Sequence, residues 1–388
     1  MINIYTQNNQ QNNQYLQKNL SDPNFQPKYS ALLQYFIEQI QYQKYEREQR
    51  FLDRLMEYLK LEDPLTYTYL KPNKKAYLYF PKESDQYIGE GKKLMRLFFD
   101  GPITITQFEK DEYEKFEKQL KDSGDEQNHL QDQQIWTKSN KMRFLQASGW
   151  KYNVAINNIS QHNVWRKSSL PIQLDDEIVQ FLKSGILYLH GRDSRNKPIM
   201  VLNVYKIDTK KMSEDNLIKG VSFFLEVVVI NMLLPGQIEN WVIILDFNQM
   251  GLFTFPVMSF KKMIGFLQSN YRARMYKLYC VNTPNSIWVP WKAVQIFLEE
   301  NTIQKVNFSK QNTPTDLFKH CNKSQVESKF GGSAPDLKEF SWPPQIIQGE
   351  TCAEGEKESD FLITVEEYKK KYLNKELSGC EICQEYIK

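Results

Sequence analysis

The residues of this sequence that could carry chemistry fall into a few groupings, and each lacks a part. Cys380 and Cys383 form the run CEIC, with Cys352 upstream. Thiolates at this spacing can hold zinc or exchange a disulfide, but a structural zinc site takes about four ligands. The last histidine is His320, far from the pair. A thioredoxin-type pair opens a helix after a strand, whereas this one stands in a tail, and incidental thiols are expected. The run IGEGKKL, Ile88 to Leu94, lacks both the first glycine of a phosphate loop and the hydroxyl residue after its lysine, so a turn is expected. The four histidines are scattered, and none sets up a serine–histidine–acid relay. His190, in YLHGRD, reads as a strand-end residue. Asp246 closes an apolar run and reads as structural. The basic runs KVNFSK and KKYLNK read as solvated faces. No nucleophile–base or metal constellation emerges, and the chain is expected not to be an enzyme.

What remains is a surface rather than a reactive group. Tyr279 to Trp291 reads YCVNTPNSIWVPW. The run is a strand, a Pro284 break and a helix that is apolar nearly all round. Such a helix is buried on more than one side. Either neighbouring protein or a bound apolar molecule could supply its second side.

The elements around it follow from composition and periodicity. The chain has 388 residues, 41% hydrophobic and 25% charged, which describes a globular protein of two or three domains, or of one domain with long extensions. A net charge of +3 gives no ground for a nucleic-acid partner. The most apolar stretch, Leu217 to Leu234, carries Lys219 and Glu226 in mid-run and reads as a buried helix, not a membrane span. The N-terminus shows no apolar signal core, and the first arginine is Arg47, so no targeting segment is expected. Five cysteines suit a reducing compartment with free thiols.

Along the chain, residues 1–27 form an Asn/Gln-rich tail and residues 28–120 a helical extension of unknown role. Within the extension, residues 29–61 carry an apolar stripe at helical spacing, KKAYLYF reads as a strand, and the polar run from Asp111 reads as a solvated helix or linker. From Trp136 short helices alternate with turns. A helix follows between the cap Asp175 and the stop Gly185. Two strands, GILYLHGRD and KPIMVLNVYKI, flank a polar turn. Then come a helix capped by Ser213, the strand WVIILDF, a helix starting at Pro256, the strand YKLYCV, the tryptophan helix and the strand IQKVNF. Strands alternating with helices predict an α/β layer with a mainly parallel sheet, and continuous apolar strands predict that both faces are covered.

In this order the sequence resembles the CRAL-TRIO lipid-binding and lipid-transfer proteins over residues 130–345. The resemblance is carried by FLQASGWKYNVAINNI with WRK at 165–167, HGRDSRNKPIMVLNV, IILDFNQMG, NYRARMYKLYCVNTP, FLEENTIQKV and the closing FGG at 330–332. It implies a helical lobe at 121–171, a lipid-binding lobe at 172–345 and a tail at 346–388. The implied fold is α/β: a helical lobe, then a mixed, mainly parallel sheet flanked by helices around an apolar cavity, with the N-terminal extension added. Ser286 to Glu299 match the family's mobile gate, which makes Trp288, Trp291, Ile296 and Phe297 the gate and cavity contacts.

The family's headgroup set is partly broken. Ser148 and Gly149 stand where the family has basic residues, and Ala273 where it has glutamate. Thr302 and Lys305 are kept, and Arg274 or Arg272 could substitute for the lost groups. Trp241 and Ile243 fall where choline-lipid binders carry hydroxyls. The resemblance therefore implies non-enzymatic binding or transfer of a phospholipid or similar lipid, weakly selective for phosphatidylinositol. It implies no cofactor beyond a bound lipid, and a cytoplasmic protein that visits membranes. A rival reading also stands: a structural or adaptor subunit of a large, membrane-associated and for instance mitochondrial assembly. That subunit would keep the fold, have eroded recognition, and hold its partners through the extension and tails.

Overall fold

The computed structural model describes residues 65–370, apart from 92–93, 101–104, 126–129, 131, 133–134, 251–254, 299 and 368–369. The Asn/Gln-rich tail, the 29–61 stripe, the run KKYLNK beyond its first lysine, and the CEIC pair lie outside the described residues.

Five strands form the central sheet: β3 (Leu187–Arg192), β4 (Pro198–Asn203), β5 (Trp241–Asp246), β6 (Met275–Val281) and β7 (Val306–Phe308), in that spatial order. The β3–β4 pair is antiparallel and the other three pairs are parallel. A separate two-stranded ribbon joins β1 (Tyr87–Ile88) to β2 (Met95–Arg96). The β3–β4 turn is closed by Asp193, whose backbone N–H donates to the Lys197 carbonyl, while Asn196 takes a left-handed φ of 58°.

Alternation along the strands sorts their side chains between two cores. Met200, Leu202, Trp241, Leu245 and Cys280 face one core with the helices. Ile199, Val201, Val242, Ile244, Tyr279 and Val281 face the other. The second face is covered without helices. Leu317, Cys321, Val326 and Phe330, from the short turns after β7, close it. Gly332 packs so tightly there that a Cβ would lie 1.8 Å from the Val326 carbonyl oxygen.

On the first face, α4 (Asp176–Ser184) starts at Asp175, whose carboxylate accepts the Ile178 amide, and stops at Gly185 with φ 69°. A Cβ at Gly185 would strike the Phe340 ring at 2.3 Å. Helix α5 (Glu214–Asn231) starts at the Ser213 cap and joins β4 to β5. Lys219 and Glu226 notwithstanding, ten of its residues are buried in protein core, as expected for a buried helix. Helix α6 (Val257–Asn270) joins β5 to β6. Helix α7 (Trp288–Gln295) and the single turn α8 (Glu300–Ile303) join β6 to β7.

The helical lobe departs from the sequence expectation. Helix α1 (Gln107–Asp122) begins with a capping box between Thr106 and Glu109. It is not a solvated linker. Phe116 and Leu120 are fully buried against Phe144 and Leu145 of α2 (Lys138–Ala147) and Ala155, Ile156 and Ile159 of α3 (Tyr152–Ser169). The lobe thus starts before residue 121, inside what reads from sequence as the extension. Glu109 also receives two hydrogen bonds from the buried guanidinium of Arg96 in β2, at 2.8 and 2.6 Å.

Two further expectations are corrected. KKAYLYF begins with a 3-10 turn over Lys74–Leu78, where the Asn73 side chain accepts the Ala76 amide. The described residues 65–100 are short turns and the ribbon rather than a helical extension. They belong to the sheet's own body, since Leu65, Leu70, Ala76 and Tyr77 share the core of α4 and α5. Residues 346–363 are likewise packed rather than tail-like. Ile347 donates to the His190 carbonyl at 2.6 Å, Phe361 is buried with Tyr79 and Phe98, and Ile363 donates to the Leu78 carbonyl. The Trp342 indole donates to the Tyr67 hydroxyl at 2.9 Å and lies against Phe223 and Phe224.

One buried ion pair fastens the lobes. Glu239, ahead of β5, is fully buried and accepts the amides of Phe99 (3.0 Å), Asp100 (2.9 Å) and Gly236 (2.9 Å), and a guanidinium N–H of Arg143 from α2. Burial pushes its carboxyl above the usual range, and Arg143 opposes that rise. Removing one partner of such a pair leaves a buried charge alone, at about 3–5 kcal/mol.

Three outcomes follow. Arg143→Met should destabilise the protein by about 3 kcal/mol or more, read from urea unfolding; a loss under 1 kcal/mol would show the pair to be dispensable. Residues 182–332 alone should be insoluble or unfolded, while 65–363 should melt cooperatively, because Tyr67, Phe98, Trp342 and Phe361 close the core; a folded 182–332 fragment would contradict this. His162, buried between α3 and α6 with Nδ1 2.9 Å from Asn270 Oδ1, has its pKa lowered by burial from 6.5 to about 4. Below pH 6.5 the unfolded chain takes up a proton that the folded chain refuses, so this group removes stability as pH falls towards 4, at up to about 1.4 kcal/mol per pH unit. His162→Gln should flatten the stability–pH curve in that window relative to the unaltered chain, and identical slopes would exclude the assignment.

Candidate functional site: an apolar cavity beneath helix α7

The inward side chains of β4, β5 and β6 do not meet α6 and α7 everywhere. Between them lies a cavity of about 220 Å³. Its floor is Met200, Trp241, Ile243, Leu245 and Leu278. Its roof is Met263 and Leu267 of α6 with Pro290, Trp291 and Val294 of α7. An apolar cavity of roughly 150 Å³ holds a benzene ring, whereas drug-sized ligands take about 300–1,000 Å³. The Trp241 indole, 3% exposed and 6.3 Å from the Tyr271 ring, takes up floor space.

Helix α7 has a sided structure that sequence alone did not resolve. Pro290 and Val294, one turn apart, are buried, and Trp291 lines the cavity with its ring 4.9 Å from Phe308. Trp288 packs an edge on Phe308 at 5.2 Å but is 52% exposed, and Val289 and Ile296 are 62% and 76% exposed. Phe297 is also exposed at the surface, held by the Lys261 ammonium 4.1 Å over its ring and by Gln268 donating to its carbonyl at 2.9 Å. Of the four expected gate and cavity contacts, Trp291 therefore meets the cavity. Trp288, Ile296 and Phe297 do not line it and lie on the outer surface. The second apolar side of the helix faces outward and is exposed over much of its surface.

The polar groups gather at one end, where the α6–β6 turn meets α8. Thr302, Lys305 and Arg274 all line the cavity there, with Arg272, which is 8% exposed. Lys305 Nζ donates to the Met275 carbonyl at 2.8 Å, and Arg274 Nη1 to the Glu239 carbonyl at 3.2 Å. Burial lowers the Arg274 guanidinium to about 10. The Arg272 guanidinium lies 5.1 Å over the Phe144 ring of α2. Ala273 takes a left-handed φ of 55°, with its carbonyl held by Asn240. Ser148 caps α2, accepts from Asn158 at 3.0 Å and is not in the lining. Tyr271 was not picked out from sequence. It lines the cavity and donates to Glu226 at 2.9 Å, and burial raises the Glu226 carboxyl while that bond opposes the rise. Its only signal was its place between α6 and the arginines.

Asp246 has the structural role expected of it. Its Oδ1 accepts from the Asn248 amide and the Asn282 side chain, at 2.9 and 2.8 Å. Cys352 shares a second, polar depression with Glu350 and Glu358, whose donor atoms lie within 4.8 Å of one another. Lys75 binds both oxygens of Glu358, at 3.0 and 2.8 Å, and burial with Glu350 pushes the thiol up to about 12. Lys75 thus neutralises Glu358, and the thiol stays protonated.

The chain is similar to several known proteins. The CRAL/TRIO domain profile matches residues 182–332. A CRAL-TRIO domain-containing protein of Schizosaccharomyces pombe is 26% identical over 220 residues, covering 56% of this chain and 21% of that protein. The Sec14 cytosolic factor of Candida glabrata is 23% identical over 214 residues, covering 50% of this chain and 70% of its own length. The chain spans only 21% and 45% of two S. pombe relatives that it matches. The crystal structure of Sfh5 superposes with a TM-score of 0.46 at 14% identity, over 70% of this chain and 99% of that one. The ordered motifs, the mainly parallel sheet and the profile match together identify residues 182–332 as a CRAL/TRIO domain, of a family that binds and transfers lipids.

Proposed function

We propose that the chain binds a lipid in the cavity beneath α7 and passes it to and from membranes, with α7 as the gate and no bond made or broken. The observation that carries this reading is the two-sidedness of α7: one apolar face roofs an apolar cavity and the other lies open. A buried acyl chain gains about 0.8 kcal/mol per CH₂, which offsets leaving the bilayer. An outward Trp288, Val289 and Ile296 would sink into the bilayer interface as the helix swings. A gate must come from the less stable part of a fold. Here α7 is eight residues long, begins at a 3-10 turn and has no side-chain cap.

Two features support the absence of catalysis. Among the described lining residues there is no histidine or carboxylate. The single lining thiol, Cys280, is pushed far up by burial and stays protonated. Work in the cytosol with transient visits to membranes suits this reading, and the relatives' name of cytosolic factor agrees with it.

The test uses purified protein and vesicles carrying brominated phospholipid. Tryptophan emission should be quenched on mixing. Trp288→Asp should lower vesicle binding and lipid transfer by about tenfold or more while leaving the melting temperature within a few degrees, since the side chain is half exposed. Full transfer by that variant would refute the gate. No transfer of any lipid, with the protein recovered only in a fixed complex, would favour a scaffolding subunit.

A further inference from the structure

The start of β6 carries an irregularity whose product lies on the far face of the sheet, away from the cavity. Trp241 pairs with Met275 and Val242 with Lys277, so Tyr276 is the extra residue of a bulge. Bulges re-aim side chains. Met275 and Leu278 line the cavity, whereas Tyr276 packs against the core on the other face. Two ammonium groups meet its ring. Lys277 Nζ lies 5.6 Å from the ring centre, and Lys197 Nζ, from the β3–β4 turn, lies 4.6 Å from it. The two cations therefore stand within about one Debye length of each other, roughly 10 Å.

The charges around them leave Lys277 without a counter-ion. Lys197 is buried, with its ammonium 3.7 Å from Asp193. Asp316 is taken by Lys319 at 2.6 Å, and Glu356 by Arg195. The His320 imidazole, 5.6 Å from the Tyr276 ring, is kept neutral by burial, which lowers its pKa to about 3. Among the described residues Lys277 forms no ion pair. It is half-buried, and burial lowers its pKa; Asp316 opposes this, while Lys319 and Lys197 add to it. An ammonium drawn from water beside other cations gives up its proton more readily, and the free amine is a nucleophile. Lys75, Lys115 and Lys262 show the opposite case. Each is bonded to a carboxylate, which raises its pKa and holds its proton on.

We infer that Lys277 is a modification site whose amine takes an acyl group from a thioester or an acyl phosphate. The nitrogen lone pair attacks the acyl carbon and an amide bond forms. The bond from that carbon to sulfur or to the phosphate oxygen breaks, its electron pair leaves with the thiolate or phosphate, and the nitrogen loses one proton to solvent. The product is neutral, so one of two like charges leaves the Tyr276 ring and no ion pair is broken.

The experiment acetylates the full chain sparingly at pH 7.5 with two probes, acetyl phosphate and the uncharged thioester S-acetyl-N-acetylcysteamine, and reads each lysine by mass spectrometry. Lys277 should react about threefold or more faster than Lys75, Lys115 and Lys262 with both probes. The midpoint of its rate–pH profile should lie below theirs. Lys319→Ala alters an exposed side chain and releases Asp316 to Lys277, so it should slow Lys277 by about twofold or more and leave the three reference lysines unchanged. Lys197→Met should slow Lys277 likewise by removing the like charge. Should that variant fail to fold, Lys319→Ala and the unaltered chain decide. Equal rates at all four lysines, or a midpoint for Lys277 at or above the others, would overturn the assignment. A preference seen with acetyl phosphate alone would overturn it too, since the cations would then be gathering an anionic reagent rather than exposing a reactive amine.

Discussion

The structure turns on a carboxylate that has no access to water. Glu239 collects the amides of Phe99, Asp100 and Gly236 and a guanidinium N–H of Arg143, and so brings three separate stretches of chain to one point. A buried acid is tolerated only when its lone pairs are filled by donors fixed by the fold. Here the four donors come from three elements: the segment after the β1–β2 ribbon, the loop after α5, and α2. Because the same residue's carbonyl also receives Arg274, the charged end of the cavity inherits its geometry from this node. The helical lobe is therefore the abutment against which the polar end of the cavity is set.

The cavity then follows from a mismatch of shapes. A twisted parallel sheet wants a continuous helical layer on each face, but α7 is short and ends in a turn at Ile296. Trp291 and Phe308 brace the gap from the side. What is left is a chamber with an apolar body and its polar groups at one end. The sheet's other face is covered by close-fitting turns rather than by long helices.

The regular parts of the molecule were legible in the sequence because their signals are local. Asp175, Gly185 and Ser213 each act on atoms within four residues, and each does what its type predicts. The parts that were not legible depend on distant partners. Tyr67 meets Trp342 across 275 residues, and Arg192 reaches the Leu70 carbonyl across 122. Nothing in the composition of 65–100 or 346–363 announces such pairings. Helix α1 was hidden by its own charge, since only Phe116 and Leu120 are fully buried hydrophobics among its sixteen residues. At the site the residue types were readable and their directions were not. A helix apolar all round does not say which face is the roof, and the direction of Arg272 and Arg274 hangs on the left-handed backbone of Ala273 between them.

The closure of the second sheet face by residues 314–340, and of the whole body by Tyr67 against Trp342, bears on how the chain is made. At roughly 5–20 residues per second of synthesis, Tyr67 leaves the ribosome tens of seconds before its partner 275 residues on. From their own emergence until residues 317–330 follow, Ile199, Val201, Val242 and Ile244 present a β-branched face without its cover. Contacts of such sequence separation slow folding, and an uncovered strand face in a nascent chain invites pairing with the wrong partner. The nascent protein would therefore depend on being shielded until its last quarter emerges, a demand that the finished fold no longer shows.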